Sequence, residues 1–182
     1  MNETHPANGS VAVLYTEAQI AERVEWLASA IVKQLPPDVM IVALLRGSFV
    51  FTADLIRALH RAGGHPQVDF MTLSSYGAGT ESSGAVTINR DIAESVEGRD
   101  VLIVDDILES GRTLTFARDL IRVRGAKSIK IAVFLEKPGK RKFDIHADFV
   151  GFTIPDKFVV GYGLDYANYY RELPYIGVVT VN

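Results

Sequence analysis

The chain predicts one α/β domain with a mainly parallel central sheet flanked by helices. Two patterns carry the prediction. Short, almost wholly apolar runs such as Val39 to Leu45 and Val101 to Val104 read as strands buried on both faces. They alternate with longer stretches whose apolar residues recur at helical spacing, the order expected of a parallel sheet with crossover helices. With 182 residues and 48% hydrophobic side chains, one core can be buried, and no repeat or linker marks a second domain.

Residues 1–10 read as a loose polar tail, leaving 11–182 as the domain. Thr16 and Gln19 form a capping box for a helix reaching about Gln34, with Ile20, Val24, Leu27 and Ile31 on its apolar face and Pro36-Pro37 beyond its end. Trp26 lies near that stripe and is assigned to packing. Val39 to Leu45 is a buried strand bounded by Arg46-Gly47. Ser48 to Ala62 is a second helix, stopped by Gly63-Gly64. Val68 to Leu73 is a strand, and the Ser-, Gly- and Thr-rich segment Ser74 to Gly84 is a mobile loop. Ala85 to Asn89 returns as a strand. Strand 101–105 and helix 113–124 follow, then strand Ser128 to Leu135 and a basic loop, Lys137 to Lys142. Short strands are expected at Phe149 to Phe152 and Phe158 to Tyr162, with a last one at Ile176 to Val181.

Composition excludes several classes. A net charge of −3 gives no general attraction to nucleic acid or to an anionic membrane. The absence of Cys removes disulfides and thiolate metal sites and suits a reducing compartment. The polar N-terminus lacks a signal-peptide core, and no apolar run approaches the ~20 residues that cross a bilayer. A cytoplasmic protein is the expectation. His5, His60, His65 and His146 show no ligand spacing.

The most informative stretch is Val101 to Leu114. Its apolar run delivers Asp105 and Asp106 to the carboxyl end of a strand, where open α/β sheets bind ligands. Gly111 lets the backbone approach a ligand, the next helix start favours a phosphate, and Ser110 and Thr113 add hydroxyl donors. Like charges repel, so Asp105 and Asp106 should face hydroxyl groups or a metal ion rather than that phosphate. The bland alternative is a solvated or metal-binding acid pair before an ordinary turn.

This segment resembles the phosphoribosyl-pyrophosphate (PRPP) motif of the type I phosphoribosyltransferases. The acid at Glu109 resembles their 6-oxopurine branch, the hypoxanthine–guanine phosphoribosyltransferases, where that position is usually Asp and is taken as the general base at purine N7. Read alone, Glu109 is equally a solvated acid favoured by the helix dipole. Further matches lie along the chain, and the resemblance spans about residues 12–181. Lys137 matches the lysine that donates to the purine 6-oxo group, while Lys140, Arg141 and Lys142 read as a solvated basic turn. Phe149 to Arg171 is the longest match. Leu44-Leu45-Arg46-Gly47 resembles the pyrophosphate loop, with a cis peptide expected between Leu45 and Arg46. Ser75-Tyr76 matches the start of a mobile catalytic loop.

The resemblance implies a type I phosphoribosyltransferase fold with a small hood built from the chain ends. It implies that Glu109, Ser110, Gly111, Arg112 and Thr113 hold the 5′-phosphate, and that Asp105 and Asp106 hold the ribose hydroxyls directly or through a second metal ion. Leu45, Arg46, Gly47 and Arg171 would contact pyrophosphate. Ile107, Lys137, Lys157, Phe158, Val159 and Leu164 would line the purine site, with Phe158 stacking on the base. Asp165 would bind Mg²⁺ together with pyrophosphate oxygens. The reaction implied is PRPP plus hypoxanthine or guanine giving IMP or GMP and pyrophosphate, in a homodimer or homotetramer with no nucleic-acid or membrane partner.

Three rivals fit less of the chain. A PRPP-binding regulator needs a basic surface and no catalytic carboxylate. An adenine-specific transferase conflicts with a donor-only Lys137, whereas a xanthine-specific one stays open. A phosphate-receiving signalling domain leaves Phe149 to Arg171 unexplained.

Overall fold

The apolar runs pair as parallel strands, and the amphipathic segments cover both faces of the sheet they form. The computed structural model describes residues 10–75 and 86–180. In chain order the first elements are β1 (Ser10–Tyr15), α1 (Glu17–Val32), β2 (Met40–Leu45), α2 (Phe49–Arg61), β3 (Gln67–Ser75) and β4 (Val86–Arg90). They are followed by β5 (Asp100–Leu108), α3 (Arg112–Val123), β6 (Ser128–Glu136), a short 3₁₀ turn at Pro138–Lys140, β7 (Phe149–Thr153), β8 (Val159–Val160) and β9 (Ile176–Thr180).

The larger sheet has the order β4-β3-β2-β5-β6-β7, parallel except for β4, which returns antiparallel at one edge. Side chains alternate across it with the period of two that a strand imposes. Ile41, Ala43, Leu102 and Val104 face one layer, packed under Ile20, Val24, Leu27 and Ile31 of α1 and Phe51, Leu55 and Leu59 of α2. Met40, Val42, Leu44, Val101 and Ile103 face the other, under Leu114, Ala117 and Ile121 of α3. The Thr16–Gln19 capping box is present at the start of α1: Gln19 N–H donates to Thr16 Oγ1 at 3.3 Å and Thr16 N–H to Gln19 Oε1 at 2.9 Å.

A second, antiparallel sheet β1-β9-β8 joins the two ends of the described chain, which is the hood the resemblance implies. Its first strand corrects the sequence reading, which placed a tail through residue 10 and no strand before Thr16. Other boundaries move as well. β5 runs three residues past Asp105, so the acid pair lies inside the strand rather than at its tip. β3 continues to Ser75, so the predicted loop starts later; Tyr76 and the rest of that loop lie outside the described residues. Only Val159 and Val160 form the strand expected over Phe158 to Tyr162. Trp26 is 55% exposed, with the Arg23 guanidinium over its ring, so it does not pack in the core. Among the described residues no helix is long and apolar enough to cross a membrane.

From β2 the chain moves through α2 to β3 on one side, and from β5 through α3 to β6 on the other. The β2–β5 pair is therefore the point where strand order reverses, and the crevice beyond its carboxyl end is the expected ligand site.

Candidate active site

A cleft of about 250 Å³ lies at that crevice, lined by residues 44–47 and 105–114. The first wall is the turn between β2 and α2. The Leu45–Arg46 peptide is cis, as the family resemblance implies. Ser48 Oγ donates to Leu44 O at 2.5 Å, closing the turn from beneath. Gly47 is dictated by contact: a Cβ there would stand 1.6 Å from Asp106 Oδ2. The turn 161–165 packs on the same spot. At Gly163, φ is +97° and a Cβ would lie 2.2 Å from Gly47 O. Both places need a bare backbone.

The second wall is the end of β5. Asp105 is buried and Asp106 half-buried, side by side in sequence. Burial, and then the charge of Asp106, push the Asp105 carboxyl well above the ordinary carboxylate range. Burial raises Asp106 too, opposed by hydrogen bonding to Asp105, by backbone N–H groups and by the positive charge of Arg171. The pair is suited to accepting sugar hydroxyls or lying near a cation.

After β5 the chain forms the loop that the sequence marks for phosphate. Gly111 takes φ +85° at the N-cap of α3, where a Cβ would meet Ile145 Cγ2 at 2.6 Å. Ser110 Oγ accepts the N–H of Arg112 at 3.3 Å. Ser110 O accepts the N–H groups of Lys142 and Phe143 at 2.9 and 3.2 Å. Thr113 lies in the first turn of α3 and lines the cleft. The Glu109 side chain is 45% exposed, and its Oε2 lies 3.8 Å from Nζ of Lys137, which is itself only 8% exposed.

The predicted solvated turn is corrected at Arg141. Its side chain is 17% exposed, pairs with Glu136 Oε1 at 2.6 Å and donates to Glu109 O at 3.2 Å. Lys140 remains on the surface, paired with Asp156 at 2.7 Å, and Lys142 is exposed.

Of the remaining predicted residues, Ile107 belongs to the cleft lining and the others lie outside it. Phe158 is 53% exposed, with its ring edge-on to Tyr166 at 5.5 Å, so an aromatic face stays uncovered. Lys157 is exposed, Val159 is buried in β8, Ile107 is half-buried against the core, and Leu164 is buried within it. Asp165 Oδ1 pairs with Arg171 Nη2 at 2.7 Å, and its Oδ2 accepts the Asn168 N–H at 2.8 Å. Arg171 Nη1 also donates to Gly163 O at 2.6 Å, which brings this arm onto the Gly47 wall. Ser75 ends β3.

One carboxylate with hard oxygen donors fits a Mg²⁺ ion held jointly with substrate oxygens, the usual arrangement for this ion beside phosphates. It does not fit a cage made by protein alone; among the described residues no three His, Cys, Asp or Glu side chains converge on a metal position.

Sequence reading missed the Arg141–Glu136 pair and the Gly163–Gly47 contact. It also missed the Tyr162 hydroxyl, which donates to Asp54 Oδ2 at 2.7 Å and ties the turn 161–165 to α2. Nothing in the local sequence signals any of the three, since each joins segments distant in the chain or hides in a basic run.

The phosphoribosyl transferase domain model matches residues 10–167. The hypoxanthine-guanine phosphoribosyltransferase of Bacillus subtilis is 49% identical over 168 residues, covering 92% of each chain. The hypoxanthine phosphoribosyltransferase of Escherichia coli is 46% identical, over 93% of this chain and 96% of its own. A solved hypoxanthine phosphoribosyltransferase from Staphylococcus aureus superposes with a TM-score of 0.86 at 45% identity, covering 92% of this chain and 90% of its own. On the fold, the cleft at the strand-order reversal and these matches together, the chain belongs to the phosphoribosyltransferase family, in its hypoxanthine–guanine branch.

Proposed function

We propose that the protein transfers the 5-phosphoribosyl group of PRPP to N9 of hypoxanthine or guanine, with Mg²⁺, giving IMP or GMP and pyrophosphate. The observation that carries the reading is the 3.8 Å approach of Lys137 Nζ to Glu109 Oε2 beside the phosphate loop. A 6-oxopurine presents a carbonyl oxygen next to N7, and in its N7-protonated form it needs a donor beside an acceptor. Lysine is donor-only and carboxylate acceptor-only, so the two fit that edge in one orientation. Adenine would set its amino group against the lysine.

In this reading the loop Glu109 to Thr113 grips the 5′-phosphate, and Asp105 and Asp106 hold the ribose hydroxyls. N9 attacks C1 as the C1–oxygen bond breaks, its electron pair leaves with pyrophosphate, and the N7 proton passes to Glu109. Arg46 and Arg171 offset charge on the leaving group. Phe158 stacks on the base, with Ile107, Lys157, Val159 and Leu164 around it. Asp165 would hold Mg²⁺, which when bound neutralises pyrophosphate oxygens. Ser75 and Tyr76 begin the segment that would exclude water. The same reading carries a cytoplasmic homodimer or homotetramer.

Initial rates with PRPP and Mg²⁺ on hypoxanthine, guanine, xanthine and adenine test it. Nucleotide formation from hypoxanthine or guanine, at rates well above adenine, is expected. A preference for adenine or xanthine would overturn the assignment.

A further inference from the structure

We infer that Arg141 is a positioning residue for the Glu109 carboxylate, an inference that rests on reading Glu109 as the base. Glu109 stands just past the end of β5, on a loop that turns at Gly111, and its side chain has one rotatable bond more than an aspartate. Its reach to N7 therefore depends on where its main chain is held. Hydrogen bonds from the neighbouring segment fix that position. Lys137 N–H donates to Leu108 O at 3.0 Å, and Arg141 Nη1 donates to Glu109 O at 3.2 Å.

The other arm of the guanidinium is anchored on a rigid point. Nη2 pairs at 2.6 Å with Glu136, which ends β6 in register with Leu108 of β5 and Thr153 of β7. A planar fork with one arm on a strand-held carboxylate and one on a loop carbonyl transmits the sheet's position to the loop. A lysine ammonium is a compact point charge without that planar fork, so it reproduces the span only in part. Both side chains are shielded, at 17% and 20% exposure, so water competes weakly for this contact. Lys137, four residues earlier, takes its own height from the same strand end. Arg141 thereby sets the separation of donor and acceptor on which base recognition depends.

The phosphate grip has separate support, since the amides of Lys142 and Phe143 hold Ser110 O without the guanidinium. Removing Arg141 should therefore disturb catalysis more than phosphate binding. A displacement near 1 Å can cost about a hundredfold in rate.

The test is a double-mutant cycle of Arg141→Gln and Glu109→Gln, with kcat and the KM for PRPP measured on hypoxanthine, and Arg141→Lys beside them. In the Glu109 enzyme, Arg141→Gln should lower kcat by roughly 10–100-fold, with KM for PRPP moving far less, and Arg141→Lys should restore part of the loss. In the Glu109→Gln background the same change should cost almost nothing further, because there is no base left to position. Equal losses in both backgrounds, or an unchanged kcat in the first, would overturn the inference. If Arg141→Gln does not fold, Arg141→Lys in the two backgrounds decides by the same criterion. A wild type inactive on both hypoxanthine and guanine would overturn the proposed function, and this inference with it. An active wild type indifferent to Arg141 would overturn the inference alone.

Discussion

Glu109 carries its carboxylate half-exposed beside an ammonium that is nearly buried, so each offsets the other's charge. In the proposed function, a base entering between them would take over both roles, with its oxygen on Lys137 and its N7 proton on Glu109. If Glu109 is the acceptor, Glu109→Gln should lower kcat by ~10²–10⁴-fold, the usual loss when a general base is removed. IMP affinity should survive, since the loop amides and hydroxyls proposed to grip the phosphate are untouched. Glu109→Asp should keep substantial activity, because the carboxylate remains and the carbonyl held by Arg141 fixes its main chain. Steady-state rates and nucleotide titrations on the three proteins check this. A Gln variant as fast as wild type would leave Glu109 as a solvated acid at a helix start. The buried strands before Glu109 and Lys137 could be read from the sequence, but the roles proposed for the two residues came from the family resemblance. The contacts of Arg141 could not be read, because a run containing Lys137, Lys140, Arg141 and Lys142 reads as solvated charge until the fold brings Glu136 and Glu109 against it.

At the level of elements, the apolar strands and the helices with caps were readable from local pattern alone, since burial on both faces and a Thr16–Gln19 box leave few alternatives. β1 was not. Its residues Ser10 to Tyr15 show no clean alternation of burial, with Val13 55% exposed and a register shift between Val13 and Tyr15, and they form a strand by pairing with β9. A similar long-range tie is Asp69 on β3, which accepts the N–H groups of Phe70, Ala93 and Glu94 at 2.7, 2.6 and 3.0 Å and pins the connection between β4 and β5. Burial alone would raise this carboxyl, yet the backbone donors and nearby Arg90 outweigh it and hold the group below its ordinary value. A carboxyl whose folded pKa is depressed stabilises the fold above its unfolded value near 3.9 and loses that contribution as pH falls through the folded value. Asp69→Asn should therefore destabilise the protein by about 1.5–3 kcal/mol at pH 7. The gap to wild type should narrow as pH falls below about 4. Urea denaturation across that range checks it; a difference that does not change with pH would mean the charge is irrelevant to the contact.

The molecule as a whole places its chemistry by topology. The reversal of strand order between β2 and β5 opens the crevice, the turn after β2 and the loop after β5 line it, and the turn after β8 is laid onto the first of these through Gly163 and Gly47. The sheet positions the loop after β5, proposed to bind phosphate, while the segment between β8 and β9 brings Asp165 and Arg171. That division explains why the acid pair and phosphate loop were visible in one contiguous stretch. The proposed purine and pyrophosphate contacts came only from the family resemblance, being spread over Leu45 to Gly47, Lys137 and Lys157 to Arg171. The account stands or falls on one geometry, the reading of a 6-oxopurine edge by Lys137 and Glu109 above a phosphate held by Glu109 to Thr113. A crystal structure of the protein with GMP measures it directly. The account predicts the 5′-phosphate on that loop, O6 within hydrogen-bonding distance of Lys137 Nζ, and N7 facing the Glu109 carboxylate. A phosphate bound elsewhere, or a base whose O6 and N7 edge turns away from both residues, would contradict it.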